Sequence, residues 1–152
     1  MVGPNTVIGF KVSTGSVAPL GIFGVLAGQR EMVQMRHELE ARLDAIPARE
    51  RAAIANYLRS SSIVIALMEH TRDVLGNEFE VPGGSAIHSD GIYYWRRDAA
   101  EYVYHYGIGV PGDFLEQGAV SGWLPRLLKP SDVLAIDDYL SANIRRFGPA
   151  NR

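Results

Sequence analysis

Between Tyr93 and Tyr106 six aromatic side chains fall within fourteen residues. They lie on either side of a change from strand to helix. Asp90-Gly91, set between Ala86-Ile87-His88 and Ile92-Tyr93-Tyr94-Trp95, is a hairpin signal, because an Asp-Gly pair supplies the positive φ angles of a tight primed turn. On the second strand Tyr93 and Trp95 share one face and Tyr94 takes the other. Asp98 is placed to cap a helix over 99–106, and Gly107 to end it. On that helix Tyr102 and Tyr106 share a face while Tyr104 points elsewhere. One core cannot take both faces of both elements unless they are sandwiched; otherwise at least one of these aromatics is left for a partner.

The remaining elements follow from periodicity. Val, Ile, Phe and Val with Thr make Thr6–Val12 a strand. A short apolar element, Leu20 to Leu26, is expected to pack beneath the following helix. Met32, Met35, Leu39, Leu43 and Ile46, at spacings of 3, 4, 4 and 3, predict one amphipathic helix over 29–45. Pro47 starts a second helix to Arg59 that buries Ile54, Tyr57 and Leu58. Ser60-Ser61-Ser62 breaks it. Ile63 to Met68 follows as an apolar run without polar alternation, which reads as a strand buried on both faces. Residues 70–84 read as irregular, with a turn at 81–84. Pro111 opens a helical turn through Glu116, and Ser131 caps a last helix over 132–146, with Asp132 in its first turn and Arg145 and Arg146 in its last. The fold class is α+β: a small, mainly antiparallel sheet covered by four to five helices, in a single domain of 152 residues with a glycine-rich segment over 1–28.

Composition narrows the chemistry. The chain has no cysteine, which excludes disulfide scaffolds, thiolate metal centres and a cysteine nucleophile. A net charge of −2 speaks against nucleic acid as partner. The uncharged run over 12–29 is too glycine-rich for a membrane span and lacks the basic n-region of a secretory signal, so a cytoplasmic protein with no membrane partner is expected. Of 15 basic residues 13 are arginine. Each is a planar fork of donors suited to carboxylates and phosphates, although a GC-rich genome produces the same bias.

No catalytic constellation or cofactor loop is evident, and no cofactor is expected. The serines lie in turns without a GxSxG elbow or an SxxK pair, and Asp137 and Asp138 are about 100° apart on their helix. The nearest approach to a reactive cluster is His70 with Asp73 and His88 with Asp90. If their strands were neighbours, these four could form a 2-His/carboxylate metal site or a general-base pair, and the chain would be a small metal-assisted hydrolase. A third class, adaptor or oligomeric scaffold, would use Met32 and Met35 as an interface. Tyrosine, tryptophan and arginine are enriched at binding hot spots, so the aromatic cluster with Arg96 and Arg97 also reads as a recognition surface.

The stretch Asp90-Gly91-Ile92-Tyr93-Tyr94-Trp95-Arg96-Arg97-Asp98, with Tyr102-Val103, Tyr106, Pro111 and Phe114, resembles a DG-x-Y-x-W-x-x-D-x-x-x-Y-V-x-x-Y…P-x-x-F pattern of small bacterial immunity-type proteins that accompany polymorphic toxins. In those a Tyr-Leu-bearing helix precedes the motif, as Tyr57-Leu58 does here. Ser60-Ser61-Ser62 stands where that pattern has glycine. The resemblance covers Tyr57 to Glu116 and implies a non-catalytic protein that binds a cognate toxin and occludes its active site. On that reading the carboxylates of Glu78, Glu80, Asp90, Asp113 and Glu116 face a basic toxin site, with Tyr93, Tyr94 and Arg96 as anchors.

Overall fold

The computed structural model describes residues 15–147, with side chains through 143. The expected strand Thr6–Val12 lies outside the described residues. Strand β1 (Ala18–Pro19) is followed by a 3-10 turn at Gly21–Phe23, and two short helices come next, α1 (Gln29–Gln34) and α2 (Arg36–Glu40). After these come α3 (Ala48–Ser60), β2 (Ser62–Ile65), β3 (Thr71–Arg72), β4 (Glu80–Val81), β5 (Ile87–Ser89) and β6 (Tyr93–Arg96). Helices α4 (Ala99–Tyr106), α5 (Gly112–Ser121) and α6 (Pro130–Phe147) complete the described chain. The α+β class holds. The main sheet has the order β1-β6-β5-β2, with β3 and β4 forming a separate two-stranded ribbon. Two of its pairings, β2–β5 and β5–β6, are antiparallel, but β1 lies parallel to β6, so the sheet is mixed. Six α-helices among the described residues exceed the four to five expected.

The two-faced aromatic pattern is met by a three-layer arrangement. On one side of the sheet Tyr93 and Trp95 pack with Tyr57 and Leu58 of α3, Tyr102 of α4, Phe114 of α5 and Phe23 of the 3-10 turn. On the other side Tyr94, with Val17, Val64 and Ile87, is covered by Ile136 and Leu140 of α6. Trp95 and Tyr102 are wholly removed from solvent, and each such ring removes on the order of 150–250 Å² from water. The short apolar element after β1 behaves as expected: Leu20, Ile22 and Phe23 are buried.

Four local expectations are corrected. The single helix over 29–45 is two short helices broken at Met35, and the chain then leaves the helical path. The amide of Asp44 donates to Tyr106 O, and those of Ala45 and Ile46 to Gly107 O. The segment thereby closes the carbonyl end of α4, a use of backbone donors that outweighs helical periodicity. Leu43 is left exposed, while Met32 is buried in the core and not available as an adaptor interface. Second, the apolar strand after α3 is an edge strand, exposed on one face, with its register to β5 shifted between Ile63 and Ile65. Val64 is buried, but Ile63 is 45% exposed and the following Met68 93%. Third, residues 70–84 are not wholly irregular, since Thr71 pairs with Val81 and Arg72 with Glu80.

Fourth, the Asp90-Gly91 pair does not supply two positive φ angles. Gly91 has φ +93°, but Asp90 does not enter the left-handed region. Side chains hold the turn instead. Asp90 Oδ1 accepts from the amides of Ile92 (2.9 Å) and Tyr93 (2.8 Å). Ser89 Oγ accepts from Gly91 N (3.0 Å) and donates to Tyr93 O (2.6 Å). The aspartate therefore sets the turn through its carboxylate, as an Asx turn does.

Candidate functional site

The expected anchors Tyr93, Tyr94 and Arg96 are core residues, each at most 9% exposed, and Asp90 is 3% exposed. Little of their surface is presented to solvent. The reason is local. Arg96 follows Tyr94 on the face that meets α6, and its guanidinium turns inward onto Asp98, Nε to Oδ1 and Nη2 to Oδ2, both at 2.9 Å. Its Nη1 donates to Ala27 O, and Asp98 Oδ2 also accepts from Thr71 Oγ1 (2.9 Å). Burial pulls the arginine toward its neutral form, and the bidentate carboxylate more than offsets this, so its pKa stays above the usual value. Asp98 stands at the N-cap position of α4, but its side chain makes no cap bond because it serves Arg96 and Thr71. The other four carboxylates, Glu78, Glu80, Asp113 and Glu116, are exposed.

The His/Asp quartet does not assemble. His70 Nε2 sits 2.7 Å from Glu80 Oε1 on the surface ribbon, and that contact, with Arg72, holds Glu80 below the usual carboxylate range. Asp73 organises the following loop, accepting from the amides of Leu75 (2.8 Å) and Glu78 (2.7 Å) and from the Tyr106 hydroxyl. His88 is buried, with Nδ1 2.8 Å from Ser61 O and Nε2 without a partner; burial depresses its pKa, aided by Arg97. Asp90 is occupied by the hairpin and by Tyr57. Among the described residues no group of three or more His, Asp or Glu is placed to hold a metal ion.

The structure brings together a different set. A cleft of about 280 Å³ opens between the end of α3, the hairpin loop, α5 and the connection to α6, with Tyr57, Asp90, Phe114, Gln117, Trp123 and Arg126 among its lining. Its floor is a phenol–carboxylate pair. The Tyr57 hydroxyl donates to Asp90 Oδ2 at 2.7 Å, and burial, reinforced by Asp90, raises the phenol well above its ordinary pKa. One wall is the Trp123 indole, edge-on to Tyr57 (5.5 Å between centroids) and tilted against Phe114 (5.4 Å). That ring lies flat against Gly118: a Cβ there would stand 2.1 Å from Trp123 Cη2. Trp123 itself has φ +59°. A bulky residue in the left-handed region carries strain of roughly 1–3 kcal/mol and is held there by its surroundings. Its amide bonds to Gly118 O (2.9 Å) as part of the C-terminal stop of α5.

Arg126 is the unusual member. It is half-buried, its Nη1 is shielded from solvent without an acceptor, and it joins none of the ion pairs formed among the described residues. Sequence reasoning passed over this region. The signal available was a lone cation within the otherwise apolar run Trp123-Leu124-Pro125-Arg126-Leu127-Leu128, in a connection between two helices.

A second groove, of about 320 Å³, runs along the edge strand between Leu26 and Met68 and is mainly apolar. Among the described residues no helix is long and apolar enough to cross a membrane. No protein-family model, curated protein or solved structure matches the chain.

Proposed function

We propose that the chain is a non-catalytic immunity protein of the cytoplasm that binds a cognate bacterial toxin and occludes its active site. The observation that carries this reading is the run of exposed apolar side chains from the end of α5 to the start of α6. Val120 is 91% exposed, Leu124 73%, Leu127 74% and Leu134 64%, in a chain that supplies internal partners for nearly all its buried polar atoms. Large apolar groups left in water beside polar neighbours mark surfaces that other proteins cover. Asp113 and Glu116 are exposed on α5, the helix that also carries Val120, and Glu78 and Glu80 lie on the exposed loop and ribbon; they are the acidic groups offered to a basic toxin site. The resemblance over Tyr57 to Glu116 supports the same reading, its aromatic positions supplying the scaffold that holds α5 in place.

Rescue tests it. A toxic C-terminal domain encoded immediately upstream of this chain is expressed in a host with and without the chain. Growth restored in its presence, with a stoichiometric complex on size-exclusion chromatography, is the expected result. Killing that the chain leaves unchanged, or the lack of any such neighbouring gene, overturns the reading.

A further inference from the structure

We propose that the cleft at Arg126 is a socket for one carboxylate of a partner protein, an Asp or Glu side chain carried between apolar residues. The proposal rests on the protein-binding reading above and names the partner group that this reading leaves open.

Charge is the first argument. A guanidinium presents five donors and is always ionised. Nη1 of Arg126 is removed from water with nothing to donate to. A buried donor left unmade is costly, and charge-assisted bonds to a carboxylate are the strong way to satisfy it. The neighbouring carboxylate does not serve. Asp90 already accepts from two backbone amides and the Tyr57 hydroxyl, and it makes no ion pair with Arg126. No acceptor within the described residues serves the guanidinium, and the part of it that lines the open cleft is where a partner's carboxylate can supply one.

Sign and setting define that acceptor. The cleft holds about 280 Å³, at the lower end of the roughly 300–1,000 Å³ of small-molecule sites, so charge and surroundings rather than volume select its occupant. Only one cation lines it, and the Asp90 carboxylate lies beside that cation, so a singly charged carboxylate is favoured over a phosphate dianion. The surroundings indicate a protein as its source. Leu124 at the rim, with its chain neighbours Val120 and Leu127, remains largely in solvent. A small acid seated in the cleft would leave those side chains wet. A polypeptide carrying apolar residues on either side of the acid would cover Leu124 at the rim, joining an apolar contact to the aromatic and arginine groups that dominate binding hot spots. Gly118, Trp123 and the positive φ of Trp123 pre-set the wall before any partner arrives.

The test uses peptides, so that it does not wait on the natural partner. A random dodecapeptide phage library is selected on the immobilised full chain, and enriched sequences are synthesised and titrated against it, following fluorescence of its two tryptophans. Enriched peptides are expected to share one Asp or Glu flanked by Leu, Ile, Phe or Val. Replacing that acid by its amide should weaken binding about tenfold or more. Arg126→Met should do the same, Arg126→Lys should lose less, and Leu124→Ser should weaken binding through the rim alone. Thermal melts confirm that each variant is folded, and Leu124→Ser tests the socket should Arg126→Met not fold. Phenylacetate and inorganic phosphate serve as free-anion probes, and either one binding as tightly as the peptides overturns the protein assignment. Peptides that bind wild type and Arg126→Met equally overturn the socket while leaving the protein-binding reading standing, with Asp113 and Glu116 as the next positions to substitute. A library that yields no binder overturns the socket, whereas the rescue assay judges the immunity reading separately.

Discussion

Arg96 and Arg126 are both arginines brought out of water beside aromatic rings, and the fold treats them in opposite ways. Around Arg96 the donors Nε, Nη1 and Nη2 all have acceptors, and the residue is closed from solvent. Around Arg126 a donor is buried and unmatched beside an open cleft. Saturation is what a structural ion pair needs, because a buried charge with a partial set of partners costs more than it returns. An unsaturated cation at a concave, strained, apolar-rimmed position has no such structural account. The contrast separates scaffold from surface more clearly than residue type does, since the two side chains are chemically identical.

The largest expected effect falls on the saturated side. Arg96→Met leaves Asp98 buried without its cation, and urea denaturation should show a loss of about 3–5 kcal/mol. Combining it with Asp98→Leu should recover much of that loss, because the orphaned charge goes too. A loss below about 1 kcal/mol for the single variant would break the distinction between the two arginines.

Next comes the wall of the cleft. Gly118→Ala places a methyl where the Trp123 ring now lies, 2.1 Å from Cη2. Overpacking of this kind costs about 1–3 kcal/mol. Trp123 should swing out, shifting its emission toward that of solvated indole and weakening any binding at the cleft. An unchanged melting temperature with unchanged emission would show that the wall is soft rather than preformed.

His88 sharpens the comparison from another direction, since its Nε2 is the second buried atom without a partner. Here no open cleft accompanies the orphan in the lining described above, and burial simply keeps the imidazole neutral. The folded pKa lies below the unfolded value of about 6.5, so between the two the unfolded chain binds the extra proton. Stability is therefore full above about pH 6.5 and falls as pH drops below it, by at most about 1.4 kcal/mol per unit. His88→Gln should flatten the dependence between pH 7 and 5. The Glu80 contribution is lost only lower, as pH falls through its depressed range, and does not obscure this window. An identical slope in the variant would place the titration elsewhere.

Much of the fold was legible because its strongest signals are local. Tyr93, Tyr94 and Trp95 on alternate faces called for a covered sheet or a partner, and Gly107, at φ +61°, ends α4 where expected. What stayed hidden depended on distant partners. Nothing near Arg42 to Ile46 reveals that their backbone will close the end of α4, and nothing near Arg96 shows that Ala27 O and Thr71 will share its corner. The burial of the expected anchors was hidden for the same reason. Aromatic and arginine residues are favoured both in cores and at interfaces, and sequence proximity drew attention to Arg96 because it sits among tyrosines. Arg126 lacks such company in the chain. Trp123 and Phe114 come beside it only through the stop of α5 and the glycine at 118.

The smallest effect is the most telling. Arg126→Met removes a buried, unmatched donor and keeps an apolar stem of similar reach along the wall. Stability should change by no more than about 0.5 kcal/mol, with a gain more consistent with the orphan than a loss. The same measurement that shows several kcal/mol lost at Arg96 should thus show almost nothing here. If Arg126→Met instead destabilises the chain by 2 kcal/mol or more, on the scale of a broken buried interaction, then Arg126 holds the connection between α5 and α6 together, and the cleft is a by-product of packing. A null result in denaturation joined to a tenfold loss of peptide binding would assign Arg126 to binding rather than to folding.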